Sequence, residues 1–190
     1  MTLLALDPMT LDKFLEWDSG DDRRYELFDG LPRAMATPSA AHQIIAANFV
    51  RHLMEALDDR PPCHVRVEAP IAVLGRDDAC HVADLAVTCE LHELDQKLTP
   101  EPVLVVEILS PSTESHDRRI KLPDYRAIPS VREIVLVSQD SCYCEVHRRL
   151  DDGRWLTDLV RFPDARLRLE SIGLDQPMAV LYAHVKLDQS

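Results

Sequence analysis

Glycine is scarce in this chain, with 5 in 190 residues, and the five are scattered. No Gly-rich loop is present to cradle a nucleotide phosphate. Long apolar runs are also missing: none approaches the roughly 18 residues that a membrane-spanning helix requires. The opening Met1-Thr-Leu-Leu-Ala-Leu-Asp7 carries no basic stretch, so it does not read as a signal peptide. A cytoplasmic protein is expected. The five cysteines (Cys63, Cys80, Cys89, Cys142 and Cys144) include no Cys-x-x-Cys pair. An odd count without an export signal reads as reduced thiols. Basic charge is in deficit too: 21 Lys and Arg face 33 Asp and Glu, for a net charge of −12. Strong non-specific DNA binding rests on cations that neutralise phosphates, so the balance counts against it. A nuclease is not excluded, because the charge around a cleft is a local matter.

What is present is ordinary for a globular protein, with 46% apolar and 28% charged residues. Disorder, collagen and coiled coil are poor readings. The length suits one domain over residues 1–190, with no repeat, low-complexity tract or long linker. Leu11, Phe14 and Leu15 share a helical face that Thr10 can cap. Asp29-Gly30 between Tyr25–Phe28 and Leu31–Met35 signals a hairpin. Ile45, Phe49, Leu53, Met54 and Leu57 recur at helical spacing and predict a long helix from Ala40 to Leu57. Strands are expected at Val65–Leu74, Val82–Thr88, Pro102–Leu109 and Val131–Ser138, the last two apolar enough to be buried on both faces. Thr113–Ala127 reads as helical but holds Pro123. That predicts a kink, or two short helices with Pro123 in the first turn of the second. A hairpin at Cys142–Leu150 and Trp155–Phe162, a short strand at Arg166–Leu169 and a helix from Pro177 complete the chain. The fold class is α/β (α+β), a mixed central sheet flanked by helices.

Two of these strands carry an anomaly. Glu107 interrupts Val103-Leu-Val-Val-Glu-Ile-Leu109, and Asp84 interrupts Val82-Ala-Asp-Leu-Ala-Val87. A buried carboxylate costs several kcal/mol unless it is paired or bound to metal. One such acid alone is more often an edge residue or half of an ion pair. Two on neighbouring strands can converge, and Mg²⁺ is commonly held by one or two carboxylates plus substrate phosphate oxygens. Lys121, on the helix after the Glu107 strand, could bring an ammonium to the same point. Two carboxylates and a lysine form a minimal kit for metal-assisted phosphodiester hydrolysis. The plainer reading of Lys121 is an exposed i,i+4 pair with Asp117, worth about 0.3–0.5 kcal/mol.

Other groupings are weaker. Cys80-His81, Cys89 and His92 match no tetrahedral zinc spacing. Ser110, Ser112 and His116 lack a nucleophile elbow, and Ser110-Pro-Ser-Thr113 reads as a turn that caps the next helix. Cys142 and Cys144 should share a face and pack. Trp17 and Trp155 read as packing residues.

Four blocks resemble the Uma-two family of restriction-endonuclease-like proteins, a branch of the PD-(D/E)XK nuclease superfamily. They are Tyr25-Glu-Leu-Phe-Asp-Gly30, Met35-Ala-Thr-Pro-Ser-Ala-Ala-His42, Val82-Ala-Asp84, and Glu107-Ile-Leu-Ser-Pro-Ser-Thr113 with Asp117, Lys121 and Tyr125. Ile128-Pro-Ser-Val-Arg-Glu-Ile134 fits the link to the next strand. The blocks lie in the family's order over roughly residues 10–185. Ala83 stands where the family has proline, and Leu109 stands where the superfamily's usual strand lysine would be. The resemblance implies a restriction-endonuclease-like fold, metal ligands at Asp84 and Glu107, a possible third carboxylate at Glu26, and a catalytic lysine supplied from the helix as Lys121. It also implies a role for His42 in contacting water or phosphate.

The expected function is a Mg²⁺- (or Mn²⁺-) dependent endonuclease hydrolysing DNA phosphodiester bonds. By analogy, a homodimer would place two sites on a duplex. The rival reading is a non-catalytic structural or interaction module that keeps the nuclease fold. A hydrolase of small phosphorylated molecules is a third.

Overall fold

The structure is a computed structural model, and it describes residues 7–187. The expectation placed on Met1–Asp7 therefore lies outside the described residues for all but Asp7. No helix among those described is long and apolar enough to cross a membrane.

A short helix, α1 (Leu11–Glu16), leads into β1 (Tyr25–Phe28) and β2 (Leu31–Ala34). Asp29 and Gly30 both take positive φ, 49° and 74°. That is the backbone a two-residue hairpin turn needs to match strand twist, and it explains the Asp-Gly pair. Helix α2 spans Ala40–Leu57, as its spacing predicts, and Ser39 caps it by accepting from the His42 N–H at 3.1 Å. Then follow β3 (His64–Ala72), β4 (Cys80–Thr88) and β5 (Pro102–Leu109).

The next segment is continuous but changes pitch: α3 (Glu114–His116), a π-helical turn (Asp117–Lys121) and α4 (Leu122–Ala127). Pro123 sits in the first turn of α4, one of the two arrangements its position allowed. In a regular α-helix its ring would clash with the carbonyl four residues back. Here the Leu122 N–H reaches back five residues to the Asp117 carbonyl, and the wider turn admits the proline. The chain ends with β6 (Glu133–Ser138), β7 (Tyr143–Arg149), β8 (Trp155–Arg161), β9 (Arg166–Leu169), β10 (Leu174–Pro177) and α5 (Met178–Leu181).

The main sheet runs β2-β1-β4-β5-β6-β7-β8, with β3 also paired to β4, and β9–β10 form a separate hairpin. Only β5 and β6 pair in parallel, which the intervening helical crossover requires. Both faces are covered. Ile45, Phe49 and Leu53 of α2 pack on Leu85, Leu104, Val106 and Val135. Leu122 and Tyr125 of α4 pack on Val105, Ile134 and Leu136. Alternate residues of β5 and β6 thus enter opposite cores, so the apolar runs are nearly unbroken. Trp17 stacks near Phe14 and meets Tyr25 edge-on, and Trp155 packs against the second core beneath Arg149. Cys142 and Cys144 pack on the first core.

Four expectations are corrected. Cys63 and Cys89 form a disulfide. The antiparallel register that sets His64 opposite Thr88 brings their flanking residues together, which a sequence separation of 26 conceals. That bond also takes Cys89 out of the zinc grouping. The last helix starts after Pro177 as expected but runs only four residues, Met178–Leu181, and the strand Leu174–Pro177 before it has no counterpart in the sequence reading. Thr10 and Thr113 occupy N-cap positions without a side-chain capping bond; after the Ser110–Thr113 turn, the Ser110 carbonyl accepts the Glu114 N–H instead. Finally, Asp117 and Lys121 are not an exposed pair: both are buried, at 3% and 5% exposure.

Candidate active site

The site lies where the sheet forks. On one edge β4 contacts β1 only at Cys80, through Leu27. Its ladder with β5 begins only at Leu85, opposite Val106. Between those points side chains replace the missing strand partner. The Val82 N–H donates to Glu26 Oε1 at 2.8 Å, and the Val82 carbonyl accepts from Lys121 Nζ at 3.1 Å. The Asp84 N–H donates to Glu107 Oε2 at 3.3 Å, and Asp84 Oδ2 accepts from the Ile108 N–H at 2.6 Å. Backbone groups must be satisfied wherever they are buried. The acids that interrupt the two strands do this here, and so hold the strands apart. Glu68, opposite Asp84 on β3, has a left-handed φ of 52°, a conformation uncommon outside glycine.

A cavity of about 260 Å³ opens in the fork, and Glu26, His42, Asp84, Glu107 and Lys121 all line it. Asp84 and Glu107 thus occupy adjacent strands, and residues from β1, α2 and the π-turn meet them there. Lys121 Nζ is 2.7 Å from Glu26 Oε1, 3.2 Å from Glu107 Oε1 and 3.5 Å from Asp117 Oδ1. His42 Nε2 lies 3.2 Å from Asp84 Oδ2. Two participants carry no role in the sequence reading. Tyr125 is fully buried and its hydroxyl donates to Glu107 Oε1 at 2.7 Å. Asp117 is a third carboxylate at the same lysine. Tyr125 and Asp117 stand in the motif that carries the family resemblance, but nothing in their local spacing points inward.

The electrostatics of the cavity floor are those of three carboxylates around one ammonium. Burial pushes the Glu107 carboxyl well above its ordinary range; the Lys121 ammonium opposes this and the Asp84 charge adds to it. Burial likewise raises Asp117, again against Lys121. Burial alone would lower Lys121, but Glu107, Glu26 and Asp117 more than offset it and hold the ammonium charged. Tyr125 is raised by burial and by Glu107, so its hydroxyl stays a donor. With Glu26, Glu107 and Asp117 against one lysine, and Asp84 beside Glu107, the floor of the cavity carries surplus negative charge whenever the acids ionise. The donor set is hard oxygen, the chemistry that suits Mg²⁺ or Mn²⁺. Among the described residues, no group of three or more His, Cys, Asp and Glu side chains converges tightly enough to hold an ion unaided.

A model of the Uma2 family, described as "Putative restriction endonuclease", matches residues 11–179. The chain is 33% identical to the uncharacterized protein slr1290 of Synechocystis sp. over 180 residues, 90% of each chain. It is 24% identical to sll1609 of the same organism, over 82% of this chain and 89% of that one. A crystal structure described as a putative nuclease belonging to DUF820 from Anabaena variabilis shares the fold. Its TM-score is 0.74 at 19% identity, over 93% of this chain and 98% of that one.

Proposed function

The chain belongs to the Uma2 family, and from that premise we propose that the forked cavity is a metal-dependent endonuclease site that hydrolyses DNA phosphodiester bonds. One observation carries the reading: Glu26, Asp84, Glu107 and Asp117 gather in one pocket around a single buried lysine. Asp84 and Glu107 are the residues that would hold Mg²⁺ or Mn²⁺. Bound there, such an ion supplies Lewis-acid polarisation of the phosphate and a more acidic water.

The chain's own groups divide the remaining work. Lys121 holds its positive charge at the strand fork, where it stabilises negative charge developing on a phosphate oxygen. Glu26 and Asp117 keep that ammonium in place, and Glu26 is available as a further carboxylate. Tyr125 fixes one oxygen of Glu107, leaving Oε2 toward Asp84. His42, beside Asp84 at the start of α2, can orient a water or touch the phosphate. A two-fold dimer would set two such cavities on a duplex, which light scattering would detect.

The rival, a non-catalytic module, is favoured by one fact: both Glu107 oxygens already accept protein hydrogen bonds. Thermal melts with and without millimolar Mg²⁺ or Mn²⁺, alongside cleavage of plasmid and single-stranded DNA, separate the readings. A ligand bound only by the native state stabilises it by RT ln(1 + [L]/Kd), about 2.7 kcal/mol at a hundredfold excess over Kd. The wild type should gain stability and cleave; Asp84→Ala should lose the gain and Glu107→Ala the cleavage. No shift and no cleavage in the wild type would leave the module.

A further inference from the structure

The cavity has a cationic lip as well as an acidic floor. Most arginines of this acidic protein are tied to carboxylates: Arg24, which also lines the cavity, pairs with Glu68. Arg33 differs. It lines the same cavity from β2, and its guanidinium lies over the Phe28 ring, 5.0 Å from the centroid. Its polar neighbour is His116, with Nη1 3.5 Å from Nδ1. Among the described residues no acid pairs with it. Stacking on an aromatic face holds a guanidinium in one direction while leaving its donor fork open.

Across the lip, Ser110, Ser112 and Thr113 also line the cavity. Ser110 Oγ lies 3.0 Å from both the Ser112 and Thr113 hydroxyls, so three hydroxyls cluster on one turn. A fixed guanidinium fork and a hydroxyl cluster are the groups that bind phosphate oxygens on a nucleic-acid backbone. They share the cavity with Asp84, Glu107 and Lys121, the groups assigned to the bond that breaks, and make no hydrogen bond or ion pair with them.

We infer that Arg33, with the Ser110–Thr113 turn, forms a second phosphate subsite that grips the nucleic-acid backbone beside the phosphate to be cleaved. This rests on the nuclease reading of the cavity and narrows it. A second phosphate site has no use on a substrate with a single phosphate group, so it favours a strand over a small monophosphorylated molecule. It also accounts for local nucleic-acid affinity in a chain of net charge −12.

The test is oligonucleotide binding by fluorescence anisotropy in EDTA, for the wild type, Arg33→Gln, Arg33→Lys and Arg154→Gln. The last removes the same charge beside β8, at the other end of the sheet. Arg33→Gln should weaken binding about tenfold, the size of one charge-assisted contact. It should also reduce the slope of log K against log salt by about 0.7–0.9, the signature of one lost phosphate contact. Arg154→Gln should leave both unchanged, and Arg33→Lys should restore the slope better than the affinity. In turnover with Mn²⁺, Arg33→Gln should raise KM on DNA and leave bis(4-nitrophenyl) phosphate, a single diester, unaffected. Equal binding by wild type and Arg33→Gln would overturn the subsite whatever the cleavage result. Arg33-dependent binding without wild-type cleavage would support the subsite and overturn the nuclease reading. No oligonucleotide binding by the wild type would overturn both.

Discussion

Glu107 on β5 and Glu133 on β6 are both glutamates in buried neighbouring strands, exposed by 2% and 1%. Their surroundings differ. Glu133 lies beside Leu104 at the start of the parallel pair, and its carboxylate is closed by the protein. Oε1 accepts from Arg148 Nε at 2.9 Å and from the Glu170 N–H at 3.2 Å. Oε2 accepts from the N–H and hydroxyl of Ser171, at 2.9 and 2.5 Å. Arg148 also meets the exposed Asp158 and Glu170, and Glu133 does not line the cavity at the fork. Glu107 lies near the carboxyl end of β5, beside Asp84, Asp117 and Glu26, with one lysine among them and open space in front. Ligands gather outside the carboxyl ends of parallel strands in α/β sheets. Burial of an acid therefore does not mark function by itself. Opening onto the cavity at the fork distinguishes Glu107 from Glu133.

The largest effect should come from Lys121→Ala. It leaves Glu26, Glu107 and Asp117 without their shared cation, and breaking a buried pair costs about 3–5 kcal/mol. A denaturant melt should show that loss, in place of the few tenths expected of an exposed pair. Cleavage should fall by about 10²–10³-fold, as when one charge-stabilising donor is removed. Full activity in Lys121→Ala would return Lys121 to the structural class of Arg148.

Glu133→Ala should come next, at about 3 kcal/mol, from leaving the Glu170 and Ser171 N–H groups without their acceptor, while Arg148 keeps Asp158 and Glu170. Specific activity of the folded fraction should not change. An activity loss matching Lys121→Ala would erase the contrast between the two glutamates.

The smallest effect is in pH dependence. Glu107 has a folded-state pKa raised above its ordinary 4.5. Its contribution is fully present below 4.5 and is lost as pH rises toward the folded value, since the native state then holds the extra proton. Glu107→Gln should flatten that fall, which is at most about 1.4 kcal/mol per pH unit for one proton. Melts taken from pH 4.5 upward should show the flattening for Glu107→Gln.

Much of this was legible locally. The period of α2, the Asp-Gly turn and the apolar runs of β5 and β6 each depend on residues a few positions apart. Asp84 and Glu107 stood out because each breaks a local pattern. Glu133 stands just inside β6, where its run begins, and the pattern alone gave it no role. The Cys63–Cys89 bond, the β9–β10 hairpin and the burial of Asp117 were not legible, because each depends on which distant segment lies alongside. Arg33 had no role in the sequence, because its neighbours Phe28 and His116 come together only in the fold.

The amino-acid order by itself determined the strands, the helices and the residue types that interrupt them, since hydrophobic period and turn chemistry act over one or two turns of chain. Only the tertiary structure decided that β4 leaves β1 and β5 unpaired between Cys80 and Leu85. There, backbone groups without a strand partner had to be satisfied by Glu26, Glu107 and Lys121. The same requirement that buried polar groups be bonded draws these side chains to one point and opens the cavity between them.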